Sequence, residues 1–381
     1  MSDLLLSEDE LLLKNMVSEF STQNLAAKAS SYDQSGEFPW DNIRGLAELG
    51  LLGLNIEEKY GGSGGTTRQL AIAVEEIAKG CGSTSTIFVA HHSLCTQFIY
   101  AFGTEDQKKQ FVTPLATGEK IGAFALTEPG AGSDAASMST TITKEGNVYV
   151  LNGTKLFTTN AEEAETFVVL ATRDTSLRTR GIESVIVSKG TEGFSINPQH
   201  GKLGMRASST AELVFDNCII PSENLLGDEG KGWMQTMQIL NASRIAIGAQ
   251  CVGIAQAAYE ASIEYSKQRE VFGQHLSDFQ STQWIISDMA TKIDAARLLV
   301  QRSADLKDKE LPYATEASMA KLYGSQVATE TTNKAVQIHG GTGYFSPTPV
   351  ERYFRDARVT EIYEGTTEVQ RMIIARNKLD L

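Results

Sequence analysis

Apolar residues recur at the spacing of amphipathic helices throughout the first third of the chain. From Ser7 to Ala27 they fall three and four positions apart, after a Ser-Glu-Asp-Glu stretch that is typical of a helix start. The same pattern predicts further helices near 38–54, 66–80, 83–103 and 105–118. The first unit is therefore predicted to be entirely helical.

The pattern changes after Gly122, where β-branched and aromatic residues gather in short runs. Examples are Val148–Leu151, Phe167–Leu170 and Val185–Val187, and Gly and Asn residues separate such runs. Residues that favour pleated, half-buried strands, divided by turn residues, predict a small β-domain in the middle of the chain.

Helical patterns return after Gly232 and continue to the end. The long stretches lie near 233–268, 277–306, 312–340 and 347–356, with a last one after 365. Long helices with short connections pack as an antiparallel bundle. We therefore predict an α+β fold of three domains: an N-terminal helical domain (1–121), a middle β-barrel or sandwich domain (122–229) and a C-terminal four-helix bundle (230–381).

The charge balance narrows the possible functions. The chain has 381 residues, and 34 Lys and Arg against 47 Asp and Glu give it a net charge of −13. This sign is wrong for a surface that binds nucleic acid or anionic lipid, so neither partner is expected. No apolar run approaches the roughly 20 residues of a membrane helix, and the acidic first residues are unlike a targeting peptide. We expect a cytoplasmic protein, or a mature soluble form that lacks a transit peptide.

The cysteine and histidine positions predict no metal site. The four cysteines are widely spaced without a Cys-x-x-Cys pair, which favours buried, reduced thiols over a zinc site or disulfides. His91 and His92 are adjacent, and adjacent side chains on a helix point about 100° apart, so the pair cannot comfortably chelate one ion. Both are expected to be ordinary core or surface histidines.

Three short segments carry side chains that suit a flat, polar ligand. Leu126–Asp134 is an irregular loop rich in hydroxyl groups, and Asn152–Asn160 places Phe157 beside two threonines. Ile362–Arg371 places Glu364 between an aromatic residue and a glycine, where apolar neighbours can raise the pKa of a carboxyl into the range of a general base. Each segment also has an ordinary interpretation: a turn loop, a strand with Phe157 in the core, and a helix cap.

The three segments, in this order within an α–β–α layout, resemble the acyl-CoA dehydrogenase family over essentially the whole chain. The likeness is greatest to the short-chain, butyryl-CoA branch. Further matching segments are Lys202–Thr210, Gln268–Gly273, Phe279–Gln280 and Gln337–Tyr344.

The resemblance implies FAD-dependent oxidation of an acyl-CoA thioester to the trans-2-enoyl-CoA. A glutamate of the family removes the α-proton while the β-hydride passes to N5 of FAD, and Glu364 matches that glutamate. One branch of the family instead carries its base directly before an arginine on the long helix. Here the residue before Arg244 is Ser243, which cannot serve as that base.

The resemblance also assigns residues to the cofactor and the substrate. Along the isoalloxazine ring and the pyrophosphate it places Phe124, Leu126, Thr127 and Ser133, with Phe157, Thr158 and Thr159 on the other side of the ring. The adenine half would lie against a neighbouring subunit, at Arg269, Val271, Phe272, Phe279, Gln280, Gln337, Gly340 and Gly341, with Thr366 and Glu368 flanking the same dinucleotide. For CoA, it points to Ser133, Asn241, Arg244 and Gly365.

Several positions depart from the pattern of relatives. Phe157 stands where several relatives have Trp, Glu368 where several have Gln, and Asn241 where many have Asp. An amide both donates and accepts hydrogen bonds, so Asn241 can still bind the pantetheine. In relatives the helix that carries His91 lines the acyl pocket, so this side chain could help to set the acyl group that is accepted.

We therefore expect a homotetramer that desaturates a short acyl-CoA and passes electrons to an electron-transferring flavoprotein. Medium, branched or cyclic acyl-CoAs remain open, as does an enoyl-CoA reductase that works in reverse within an electron-bifurcating complex. An oxidase of the same fold is less favoured, because nitroalkane enzymes of this kind have Asp where Glu364 stands. The alternative from a different class is a non-catalytic helical scaffold. The joint presence of Glu364, Thr127, Thr159 and Arg269 argues against it.

Overall fold

The N-terminal helices form in the order that their apolar patterns predict. In the computed structural model, which describes residues 6–380, they are α1 (Glu8–Phe20), α2 (Ala27–Ser35), α3 (Trp40–Glu48), α4 (Thr67–Gly80), α5 (Gly82–Val89), α6 (Gln97–Phe102), α7 (Glu105–Gln107) and α8 (Thr113–Ala116). The Ser7 and Thr66 hydroxyls accept backbone hydrogen bonds and cap α1 and α4. A stretch of π-helix, Ala90–Thr96, joins α5 to α6, so the predicted helix over 83–103 is continuous.

The middle of the chain forms one seven-stranded sheet. Its strands are β1 (Gly122–Ala125), β2 (Thr141–Glu145), β3 (Val148–Thr159), β4 (Thr166–Thr172), β5 (Ile182–Ser188), β6 (Phe194–Pro198) and β7 (Thr210–Pro221). Their order is β1-β4-β2-β3-β7-β6, with β5 paired to β4. Strand β4 is buried along its whole length, which explains its continuous apolar run. The three runs predicted as strands lie within β3, β4 and β5.

The pairing of β3 with β7 contains an irregularity that shapes the site. Lys155 pairs with Leu213 and Thr158 pairs with Ala211, so two residues of β3 oppose a single residue of β7. This is a β-bulge, which bends a strand and redirects its side chains. Phe157, in the bulge, has a φ of 57° and its side chain is 65% exposed. Phe157 is therefore not a core residue of the sheet.

The C-terminal part is a helical bundle around one very long helix. Its helices are α9 (Gly232–Gln268), α10 (Gln280–Asp308), α11 (Ala314–His339), α12 (Pro349–Arg358) and α13 (Thr367–Leu379), and the short hairpin β8 (Glu270–Val271) and β9 (Gln274–His275) connects α9 to α10. Helix α9 contacts α10 and α11 in the bundle and also α4 of the N-terminal helices. Because neighbours cover it on several sides, α9 lacks the single apolar stripe of a surface helix. Within residues 6–380, no helix has both the length and the apolarity that crossing a bilayer requires.

One apolar cluster joins the sheet to helices from both ends of the chain. It includes Phe98 of α6, Val168 of β4, Ile186 of β5 and Leu240 of α9. Phe124 and Leu126, at the end of β1, pack against the same cluster. This contact holds the loop after β1 next to the first turns of α9.

The close contact between α4 and α9 predicts a substitution effect opposite to helix propensity. A Cβ added at Gly253 would lie 2.2 Å from the Glu75 carbonyl oxygen and 2.8 Å from the Ala78 Cβ. Alanine usually stabilises a helix interior by about 1 kcal/mol over glycine. We nevertheless expect Gly253→Ala to lower the free energy of unfolding by about 1–3 kcal/mol, because α4 must move.

Urea unfolding measures this difference, with Glu264→Ala on the exposed side of α9 as the control. A Gly253→Ala protein as stable as the wild type would contradict the close packing of the two helices.

Candidate active site

Glu364 lies in a strained turn directly before α13. Glu364 and Gly365 have positive φ angles of 52° and 94°, a conformation that is uncommon for a glutamate and costs free energy. A Cβ at Gly365 would lie 2.6 Å from Gln370 Nε2, so only glycine fits without displacing that amide. The chain therefore adopts this turn only because its surroundings impose it.

Three side chains from the bundle hold the turn by its carbonyl groups. Gln370 Nε2 donates to the carbonyl oxygens of Glu364, at 3.2 Å, and Gly365, at 2.9 Å. Lys321 Nζ of α11 donates to the Gly365 oxygen at 2.7 Å, and Arg244 Nε of α9 donates to the Glu364 oxygen at 3.4 Å. The turn is thus fixed from three helices, and these contacts offset the cost of its backbone conformation.

The surroundings of the Glu364 carboxyl favour its neutral form. Burial raises the pKa of this carboxyl to about 7, against the opposing effects of the Ser243 hydroxyl and the Arg244 and Lys321 cations. Its Oε2 atom is buried without a hydrogen-bond partner. A carboxyl whose pKa lies near neutrality is well matched to taking up and releasing a proton.

A short hydrogen-bonded chain connects the same turn to the N-terminal helices. The Tyr363 hydroxyl donates to Gln250 Oε1 of α9, and Gln250 Nε2 donates to Thr86 Oγ1 of α5 at 2.9 Å. Gln250 and Thr86 are buried. The turn that carries Glu364 is therefore connected to the N-terminal helices as well as to the bundle.

A buried ion pair joins the loop after β1 to strand β3. Lys155 Nζ lies 2.7 Å from Glu128 Oε1, and the exposed fractions of the two side chains are 0% and 1%. The Glu128 carboxylate also accepts hydrogen bonds from the Ser139 and Thr140 amides, and Lys155 Nζ donates to the Leu126 carbonyl oxygen at 3.1 Å. Burial opposes ionisation of Glu128, but Lys155 and these donors outweigh it and lower the pKa to about 2.

The same two segments also share a backbone hydrogen bond. The Leu156 amide donates to the Thr127 carbonyl oxygen at 2.8 Å. The structure thus brings together the two groups predicted for the flavin ring: Phe124, Leu126 and Thr127 beside Phe157, Thr158 and Thr159. Ser133 lies farther along the first loop and is exposed.

This pair of segments fits a flat, polar heterocycle. The bulge exposes the Phe157 ring, and the next residue, Thr158, is 2% exposed with a hydroxyl that has no hydrogen-bond partner. A buried hydroxyl without a partner is costly, and ligand atoms commonly satisfy such groups. The residues present are therefore compatible with a flavin at this position.

A second group of predicted cofactor residues lies at the end of the bundle. Arg269 directly follows α9, Val271 and Phe272 form part of the hairpin, and Phe279 and Gln280 begin α10. The rings of Tyr265, in α9, and His339, the last residue of α11, stack with their centroids 4.3 Å apart. This stacking brings Arg269 to the same end as Gln337, Gly340 and Gly341 at the end of α11.

Much of this bundle end is open. Phe272 is 97% exposed, and a Cβ at Gly340 or Gly341 would contact nothing within 4 Å. Thr366 caps α13 by accepting from the Val369 amide, and Glu368 is exposed in its first turn. Gly340 and Gly341 thus have open space beside them within their own chain. Such space is expected at a surface that contacts a ligand or a second chain.

The residues predicted for CoA lie on both sides of Glu364. Gly365 follows it in the turn, and Asn241 and Arg244 lie one helical turn apart on α9. Arg244 Nη1 donates to Asn241 Oδ1 at 2.5 Å, and the arginine is 3% exposed. Arg244 is thus held by contacts within the protein, to Asn241 and to the Glu364 carbonyl oxygen.

The two vicinal histidines are buried, and the ring nitrogens of His91 contact backbone groups. The Gly122 amide donates to His91 Nδ1 at 3.0 Å, and His91 Nε2 lies 3.1 Å from the Leu115 carbonyl oxygen. Burial lowers the pKa of His91 to about 4 and that of His92 to about 3, so both rings are neutral. All four cysteines are buried and unpaired with one another. Within the described part of the chain, no three His, Cys, Asp or Glu residues are grouped as metal ligands would be.

Four important side chains were not predicted from the sequence. Lys321, Gln370, Glu128 and Lys155 position the site, although the last three stand inside segments singled out for other residues. The sequence contains one signal for Lys321, because it stands at helical spacing among the alanines of α11. A lysine at such a position is unusual, since buried lysines are rare unless paired. The partners could not be read from the sequence, because they come from distant parts of the chain.

This fold and this site define a class: a three-domain protein of helices and β-strands, with a carboxyl held in a strained turn before its last helix and two joined segments that fit a flavin. The family model for the acyl-CoA dehydrogenase N-terminal domain matches residues 7–119. The models for the middle and C-terminal domains match residues 123–218 and 230–379.

Individual relatives agree over nearly the full length. The chain is 46% identical over 373 residues to the short-chain specific acyl-CoA dehydrogenase of Clostridium acetobutylicum, covering 98% of each. It is 43% identical to the acryloyl-CoA reductase (NADH) of Anaerotignum propionicum, covering 98% of this chain and 95% of the relative. The solved structure of butyryl-CoA dehydrogenase from Megasphaera elsdenii has a TM-score of 0.96 at 42% identity, covering 98% of this chain and 99% of that one. The chain belongs to the acyl-CoA dehydrogenase family and is an FAD-dependent oxidoreductase.

The buried ion pair predicts a specific pattern of stability and cofactor retention. Lys155→Met leaves the Glu128 carboxylate buried without a countercharge, so we expect the free energy of unfolding to fall by about 3–5 kcal/mol. FAD retention should fall with it, because the loop after β1 loses its anchor on β3. The double variant Glu128→Gln/Lys155→Met removes both charges and should be the more stable of the two. Urea unfolding and the ratio of flavin to protein absorbance measure both effects, and a single variant as stable as the double one would refute the assignment.

Proposed function

We propose that this protein dehydrogenates a short-chain acyl-CoA to the trans-2-enoyl-CoA, with Glu364 as the base that removes the α-proton. The observation that carries this proposal is the Glu364 carboxyl, whose Oε2 atom is buried without a hydrogen-bond partner and whose pKa is raised to about 7. At neutral pH such a carboxyl is partly protonated, which limits the cost of its burial. It is also partly ionised, so it can accept a proton. Entry of an acyl chain would exclude more water and strengthen its interactions there.

Each neighbouring residue has a distinct task in this proposal. Arg244, Lys321 and Gln370 hold the backbone of the Glu364 turn and so fix the direction of the carboxyl. The backbone amide of Glu364 would donate to the thioester carbonyl, which makes the α-proton more acidic. Asn241, Ser133 and Gly365 would contact the CoA part of the substrate.

The cofactor site is proposed on the two segments joined by the Glu128–Lys155 ion pair. FAD, when bound, supplies the acceptor of the β-hydride. The Phe157 ring would cover part of the isoalloxazine, and the Thr127, Thr158 and Thr159 hydroxyls would hydrogen-bond to its polar edge. Phe124, Leu126 and Ser133 would line the rest of the ring and the pyrophosphate.

The assembly is proposed to be a homotetramer in which a neighbouring subunit holds the adenine half of FAD. In support, Phe272 is 97% exposed in its own chain and Phe345 is 69% exposed. The adenine half would contact Arg269, Val271, Phe272, Phe279, Gln280, Gln337, Gly340 and Gly341, with Thr366 and Glu368 beside it. An electron-transferring flavoprotein is the proposed acceptor of the electrons.

The chain length and the direction of the reaction rest on the relatives. Two of them are named for short-chain or butyryl-CoA substrates, which supports a four-carbon acyl group. The acryloyl-CoA reductase relative favours a second candidate, the reverse reduction of a short enoyl-CoA. The same residues would serve either direction, because a base that removes the α-proton returns it in reverse.

Addition of butyryl-CoA to the FAD-reconstituted protein under anaerobic conditions is expected to bleach the visible flavin band. The Glu364→Gln variant should retain FAD and bind butyryl-CoA, but bleach about 10²–10⁴-fold more slowly, because an amide cannot take up the proton. Stopped-flow absorbance measures both rates.

Near-wild-type bleaching by Glu364→Gln would refute this residue as the base. A yellow wild-type protein that does not bleach would leave the cofactor assignment intact and overturn the four-carbon substrate.

The pH dependence of bleaching follows from the same carboxyl. Glu364 must be deprotonated to accept a proton, and burial raises its pKa to about 7, so the rate is expected to rise as the pH increases through neutrality. At higher pH the rate should level off. Stopped-flow measurements at saturating butyryl-CoA test this, and a rate that is equal on both sides of neutrality would contradict the raised pKa.

A further inference from the structure

A cavity lies beside α9, and Ser243 forms part of its lining. Its volume is about 180 Å³, and most of its lining side chains carry hydroxyl, amide or amine groups, among them Asn55, Ser93, Gln97, Tyr100, Ser243 and Lys307. Gln238 and Ala101, which also line it, are exposed. The cavity therefore reaches from the protein surface to a fully buried serine.

Two buried hydroxyls face this cavity without hydrogen-bond partners. Ser243 is 0% exposed and Ser93 is 4% exposed, and the Oγ atom of each is unsatisfied. Buried polar atoms are nearly always satisfied, commonly by water where the space is polar and large enough. About 15 Å³ is enough for one water molecule, so this cavity has room for several.

Ser243 lies between the cavity and the Glu364 carboxyl. Its hydroxyl is close enough to favour the charged form of that carboxyl. Glu364 Oε2 is itself buried without a hydrogen-bond partner. Ser243 thus lines the cavity and also acts on the proposed base, and an oxygen of each side chain is free for a further hydrogen bond.

We propose that Ser243 relays the substrate-derived proton from Glu364 to water in this cavity, and so to solvent. This inference rests on the proposed function. Glu364 takes the α-proton as the C–H bond breaks. Its O–H proton then passes to Ser243 Oγ, while the serine's own proton passes to a cavity water. The serine ends unchanged and the carboxyl is again ionised.

The relay gives a role to Ser243, which is unable to act as the base. A hydroxyl is too weak a base to remove the α-proton, but it donates and accepts simultaneously, as a relay requires. Without such a path, a proton held on a buried carboxyl under a bound acyl chain can only return to the α-carbon. Lys307, which also lines the cavity, donates to Thr67 Oγ1 at 2.9 Å.

The test compares proton exchange with flavin reduction in the FAD-reconstituted protein. The wild type and Ser243→Ala are mixed with butyryl-CoA in D₂O without an electron acceptor. Flavin bleaching is followed by absorbance, and deuterium at the α-carbon of recovered butyryl-CoA is followed by mass spectrometry. For Ser243→Ala we expect the ratio of exchange to bleaching to fall at least about tenfold, since the trapped proton returns to the carbon from which it came.

Four further measurements separate a relay from a merely structural role. Ser243→Thr keeps the hydroxyl and should restore exchange, and Ser93→Ala should lower exchange partially. Ser262→Ala removes a buried serine of the same helix that donates to the Ala258 carbonyl oxygen, away from the cavity, and should leave the ratio unchanged. Loss of the Ser243 hydroxyl should also move the pH midpoint of bleaching upward, because that hydroxyl favours the ionised carboxyl.

An unchanged ratio in Ser243→Ala, or low exchange in Ser243→Thr despite normal bleaching, would overturn the relay. If wild-type protein neither bleaches nor exchanges, the proposed function itself fails, and this outcome is distinct from failure of the relay alone.

Discussion

The site depends on a glutamate held in a backbone conformation that it would not adopt alone. Positive φ angles at Glu364 and Gly365 cost free energy, and the turn persists because Gln370, Lys321 and Arg244 hold its carbonyl groups. These donors come from α13, α11 and α9. The long helices of the bundle therefore serve as the frame that keeps one carboxyl buried and fixed in direction.

The two cations beside Glu364 also limit how strongly burial can suppress its charge. A fully isolated carboxyl in an apolar interior would stay protonated and could not act as a base at neutral pH. Lys321 and Arg244 oppose that effect, and the pKa comes to lie at about 7. The contacts that fix the geometry thus also set the electrostatics, which ties the position of the carboxyl to its chemistry.

The two segments proposed for the flavin are also held in place by a contact between distant residues, in this case an ion pair. The Glu128–Lys155 ion pair is buried, joins the loop after β1 to β3, and stands next to the bulge that exposes Phe157. Removing two charges from water is costly, so the pair adds little net stability, but loss of either partner leaves the other charge buried and unpaired. The carboxyl side and the flavin side meet at α9, through the cluster that contains Leu240 and packs against Leu126.

The sequence by itself determined the order of helical and β segments, the family, and the residue types that the chemistry needs, because periodicity and short motifs are local properties. It did not determine the bulge at Phe157, the Lys321 and Gln370 contacts to the Glu364 turn, or the pairing of Glu128 with Lys155. Those features join residues far apart in the chain, so their existence depends on distances that only the packed structure defines. The raised pKa of Glu364 belongs with them: a carboxyl beside a glycine in the sequence becomes a base poised near neutrality only when α9 and α11 close around it and exclude water.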